Sequence, residues 1–108
     1  MSVYRFKSRE TGDLVMLGPH GKRMLEILGK EADHAGVLLP ADIPAAIEAI
    51  RTAVLAEEAD QKRQREEAAA QGEPPPLFET VSLRMRSTPF IEMLQRCQQA
   101  GVEVVWGV

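Results

Sequence analysis

Val3-Tyr4-Arg5-Phe6-Lys7 alternates aromatic and basic side chains, placing Tyr4 and Phe6 on one face of a strand and Arg5 and Lys7 on the other. Glu10-Thr11-Gly12-Asp13 supplies the glycine of a tight turn, and the returning run Leu14-Val15-Met16-Leu17 completes a β-hairpin. Because the return strand is apolar at every position, it is expected to be covered on both sides or central to its sheet. Gly18-Pro19 is expected to stop it. At the other end of the chain Val102, Val104, Trp106 and Val108 share one face of a last strand, which must join the hairpin because a lone strand is not stable. These ends predict an α+β fold: a small, largely antiparallel sheet, made from the N-terminal hairpin and the C-terminal strand and covered by two or three helices.

Between the ends, Met24, Leu25, Ile27 and Leu28 have helical spacing before Gly29, which predicts a short helix. A loop then carries the chain through His34, Gly36 and Pro40. Asp42 is placed to cap a second helix, with Pro44 in its first turn and Ile43, Ile47, Ile50 and Val54 as its buried stripe. No large apolar residue follows Leu55 until Leu77. Residues 56–76 of a single 108-residue domain therefore read as an exposed helical extension, fraying into solvent, and a proline-rich loop at Gly72-Glu73-Pro74-Pro75-Pro76. Val81 to Ala100 admits two readings. In one it is a helix throughout, with Leu83, Ser87, Phe90, Leu94 and Cys97 as the stripe, Ser82 as cap, Gly101 as terminator and a kink at Pro89. In the other, Val81 to Met85 is a strand and the helix starts at Thr88-Pro89. The kinked helix is preferred, and both readings make residues 89–100 helical.

Composition removes several classes of function. A chain of 108 residues is one ordinary domain, large enough to bury a core without disulfides or metals. No apolar run approaches the ~20 residues that a membrane helix needs. Met1-Ser2-Val3-Tyr4 does not begin as a secretory signal does, and the single Cys97 has no internal disulfide partner, so a reducing cytoplasm is expected. The net charge of −3 comes from the middle of the chain, where residues 40–73 carry four basic and eight acidic side chains. No run or face concentrates the lysines and arginines that phosphate neutralisation requires, and nucleic acid is not an expected partner.

Four stretches read together as a pattern. They are Tyr4-Arg5-Phe6-Lys7-Ser8 with Thr11-Gly12-Asp13-Leu14, Pro40 to Ile47, Ser82-Leu83-Arg84 with Pro89 to Leu94, and Val104-Val105-Trp106-Gly107-Val108. The pattern resembles the small proteobacterial family called domain of unknown function 1840. The resemblance covers both ends and the segment around Asp42, without the charged stretch from Ala56 to Pro76. This chain departs from it just before Pro89, with Met85 where the family favours glutamine and Thr88 where it favours an aromatic residue. The resemblance implies a single cytoplasmic bacterial domain. The family name implies no activity, and no catalytic residue is carried over.

No titratable residues have the spacing of a known catalytic or metal site. The candidate ligand-binding residues are Gly18, His20, Gly21, Lys22 and Arg23, lying between a strand and a helix, where free amides and the helix dipole can hold a small anion. This is not a P-loop, since Met16 stands where its first glycine belongs and Arg23 where its Ser or Thr belongs. A plain tight connection with solvated basic side chains is the more economical reading. His20, His34 and Cys97 lack metal-ligand spacing, Cys97 fits a helical stripe as a small apolar residue, and no cofactor is implied. Trp106 is a candidate interface residue, although covering the core edge is its preferred role. The leading functional reading is a non-enzymatic interaction or regulatory module, docking an unidentified protein or self-associating through an open sheet edge. The alternative is a small-anion-binding protein or enzyme built on residues 18–23.

Overall fold

The computed structural model describes residues 3–107, so the expected place of Val108 on the last strand lies outside the described residues. In chain order the elements are β1 (Val3–Lys7), β2 (Leu14–Leu17), α1 (Gly18–Ile27), β3 (Gly36–Leu38), a 3₁₀ turn (Pro40–Asp42), α2 (Ile43–Ala70), α3 (Leu83–Ala100) and β4 (Val104–Trp106). The four strands form one sheet in the order β2-β1-β4-β3, and every neighbouring pair is antiparallel. The C-terminal strand thus joins the hairpin as expected, with Phe6 opposite Trp106. The fold is a small α+β domain.

Alternation along β1 directs Phe6 inward, where it meets Phe90 of α3 with ring centroids 4.7 Å apart and Trp106 of β4 at 6.0 Å. Met16, Leu38 and Val104 complete the inner face of the sheet, and residues from α1, α2 and α3 pack on it. Ile43, Ile47, Ile50 and Val54 are all buried on α2, as their spacing requires. The stripe Leu83, Ser87, Phe90, Leu94 and Cys97 is buried on α3. Burying each large side chain of these stripes stabilises the fold by about 1.5–3 kcal/mol before ordering costs.

Of the two readings of Val81 to Ala100, the helix is the one adopted. It starts at Leu83, Ser82 accepts a hydrogen bond from the Met85 amide at 3.2 Å, and Gly101 ends it with a left-handed φ of 68°. Pro89 lies within the helix and has no N–H for the Met85 carbonyl. Just before it, the hydroxyls of Ser87 and Thr88 donate to the Leu83 and Arg84 carbonyls at 2.6 and 2.9 Å.

Several expectations are corrected. β2 is an edge strand with Val15 and Leu17 exposed, because the outer face of the sheet carries no helix. α1 begins at Gly18, immediately after β2, because proline in a first turn lacks only an amide that has no helical partner there. The loop expected around Gly36 contains β3, too short for its alternation to register. Asp42 occupies the N-cap position of α2, but its side chain makes no capping hydrogen bond, since a 3₁₀ turn already leads the backbone into the helix. The helix continues through residues 56–70 with a structured base: the Leu83 amide donates to Glu57 at 3.0 Å, and Arg84 binds both carboxylate oxygens of Glu58.

Candidate functional site

Gly18, His20, Gly21, Lys22 and Arg23 were expected as a strand-to-helix loop, and they are instead the opening turns of α1. Helical geometry commits the Gly21 amide to the Leu17 carbonyl, and Pro19 has no amide. The backbone donors left at this terminus are therefore those of Gly18 and His20. Gly21 has a packing reason instead: a Cβ there would come within 2.3 Å of the Tyr4 ring. Lys22 and Arg23 are exposed and His20 is half-buried.

His20 and Arg23 also line a pocket of about 190 Å³ with Pro19, Met24, Glu57, Glu79, Leu83 and Arg86. Glu79 reaches Arg86 here, and that hydrogen bond holds its carboxyl below the ordinary value, helped by the charges of Arg86, His20 and Arg23. The Glu57 carboxylate on the opposite wall is engaged by the Leu83 amide. What the fold assembles here is a lined cleft of alternating charge, in which cationic side chains already hold a carboxylate of the same chain. Sequence reasoning found His20 and Arg23 but not Glu57, Glu79 or Arg86, which are distant in the chain and carry no shared spacing.

Trp106, the candidate interface residue, is only 1% exposed, its ring tilted at 57° to that of Phe6 and lying against Gly36, where a Cβ would come within 2.4 Å of it. Its indole N–H is buried with no hydrogen-bond partner among the described residues. His34 pairs with Glu31, and Cys97 sits buried with its sulfur 3.0 Å from the Ser8 hydroxyl. Among the described residues no group of three or more His, Cys, Asp or Glu side chains is placed to hold a metal ion.

The outer face of the sheet is a second site. Tyr4, Phe6 and Met16 turn inward, so Val3, Arg5, Val15 and Leu17 turn outward, with Val37 and Val105 beside Lys7 at the other end. Val3, Val15, Leu17 and Val37 are 40–51% exposed. Along the β2 edge lies an apolar hollow of about 380 Å³, whose walls are Leu14 to Leu17, His20, Val81, Arg86 and Pro89.

These features define an α+β domain with helices on one face of its sheet and a largely apolar second face left bare. The chain belongs to the family described as domain of unknown function 1840, whose model matches residues 2–106. The matched span includes residues 56–76, beyond the stretches that carry the resemblance in the sequence. No curated protein and no solved structure matches the chain.

Proposed function

We propose that this domain is a non-enzymatic interaction or regulatory module that docks through the outer surface of its sheet. The carrying observation is the chemistry of that surface. An antiparallel sheet with one face in water ordinarily turns polar side chains to the solvent. Here Val3 faces Leu17 across β1 and β2, Val37 faces Val105 across β3 and β4, and Val15 stands opposite Arg5. Val3, Val15 and Leu17 thus form one exposed apolar patch and Val37 with Val105 another, with Arg5 and Lys7 between them, and exposed apolar patches rimmed by polar side chains mark association sites. A cytoplasmic setting fits the single buried thiol of Cys97. No described helix is long and apolar enough to cross a membrane.

A photo-crosslinking amino acid placed at Val37, and separately at exposed Gln95 on α3, tests the reading in cells. Position 37 is expected to yield a discrete covalent adduct that position 95 does not. Equal or absent adducts at the two positions would remove the basis for docking through the sheet.

A further inference from the structure

The two edges of the sheet are guarded differently. β3 has three residues and begins with Gly36, so it offers little backbone for pairing, and a proline follows each edge strand at the same distance, Pro19 after β2 and Pro40 after β3. β2 has four residues, Leu14-Val15-Met16-Leu17, with no charge, no proline and an uninterrupted register against β1. Natural edge strands are ordinarily blunted by lysine, proline, a bulge or a covering loop, because their outward N–H and C=O groups recruit another strand. β2 itself has none of these devices, and the apolar hollow beside it includes Val81, 42% exposed.

The charges flanking β2 say what covers it. Asp13, exposed and 3.5 Å from Arg5 of β1, precedes the strand, and Lys22 and Arg23, also exposed, follow it in the opening turns of α1, with Arg23 lining the cleft that holds Glu79. When two copies of β2 lie antiparallel about a two-fold axis, the start of each strand lies beside the end of the other. The acidic end of each copy then meets the basic end of its partner, twice, while Leu14 to Leu17 pair with their own equivalents. An isologous contact of this kind is self-complementary and closed.

Resting on the interaction reading above, we infer that β2 pairs antiparallel with β2 of a second copy of this chain, joining two four-stranded sheets into one across a dimer axis. Side chains of the partner strand fill the hollow along Val81 and Pro89. The bare outer faces of both copies become one continuous surface.

Sedimentation equilibrium of the whole chain over a range of concentrations tests this. A monomer–dimer equilibrium is expected, tighter at low salt. Leu17→Lys, which adds a gatekeeping charge at a half-exposed position, should leave a folded monomer. Should that variant fail to fold, the charge swap decides: Asp13→Lys alone, and Lys22→Glu with Arg23→Glu, should each weaken dimerisation about tenfold, and their combination should recover most of the loss. A chain that stays monomeric at every concentration overturns the inference, as does a dimer indifferent to all of these changes. A monomer that still crosslinks through Val37 to a different protein sinks the dimer but leaves the interaction reading standing.

Discussion

The first half of α2, Ile43 to Val54, and the second, Leu55 to Ala70, are one continuous helix held by different physics. In the first half Ile43 and Ile50 are fully buried and Ile47 and Val54 nearly so. The second half begins with Leu55, 62% exposed, and makes its contacts through charge. Glu57 accepts from the Leu83 amide, Glu58 grips Arg84 at 2.7 and 2.8 Å, Arg63 bridges Asp60 and Glu67, and Arg65 lies 5.6 Å from the centre of the Phe78 ring. The contrast teaches that the apolar half fixes where α2 lies, and that the polar half, at its base, fixes where α3 starts. The first amides of a helix have no internal partner. In α3 the Leu83 amide is taken by Glu57 and the Met85 amide by Ser82, so one of the two caps comes from a different helix.

The largest effect belongs to the apolar half. Ile50→Ala removes a fully buried side chain from the centre of the stripe and should cost about 2–5 kcal/mol in denaturant unfolding. Leu55→Ala, one turn beyond, should be nearly silent because its side chain is already mostly in water. Similar losses at the two positions would erase the boundary drawn at Val54.

Sequence displayed this boundary well, since the isoleucine spacing ends where the burial of large side chains ends, with only the small Ala68 buried among the described residues of the helix beyond it. The α3 stripe, the Ser82 cap and the Gly101 stop were equally legible, because each depends on residues within a turn or two of one another. What escaped was long-range. Leu14 to Leu17 looked like an interior strand because nothing local reveals that the outer face of the sheet is bare. Gly18 to Arg23 read as a tight strand-to-helix connection rather than as helix because the packing of Gly21 on Tyr4 depends on a contact that no local pattern reveals. Glu57, Glu79 and Arg86 meet around His20 and Arg23 only after α2 and α3 have packed. A charged composition at residues 56–70 announced helix and solvent, and it concealed a capping carboxylate acting 26 residues away.

A middle-sized effect tests that carboxylate. Glu57→Ala leaves the Leu83 amide without its acceptor and should cost about 1 kcal/mol, in the range of an N-cap deletion. Ser82→Ala should cost a similar amount through the Met85 amide. Hydrogen exchange should quicken in the first turn of α3 in both variants, with Phe90 to Cys97 as protected as in the parent. Exchange quickening evenly along α3 after Glu57→Ala would show that Glu57 supports the whole helix rather than its start.

The smallest effect lies with the exposed ion pairs, and its sign against pH is fixed. The hydrogen bond from Arg84, and then its charge, lower the pKa of Glu58 below the ordinary value of 4.5. Asp60 is lowered by Arg63 and then Gln64, and Glu79 by Arg86. A carboxylate whose pKa is lower in the folded than in the unfolded chain releases its proton more readily when folded. Its contribution is therefore complete above the unfolded value and is lost as pH falls through the folded one. The melting temperature of the parent should exceed that of Glu58→Gln by a small, constant margin at neutral pH, and the margin should close as the solution is acidified below 4.5. Because Glu58 and Arg84 are largely in solvent, salt at high concentration should shrink the same margin. A margin that survives both acid and salt would mean that Glu58 positions α3 by packing rather than by charge, placing the base of the polar half with the apolar half of α2.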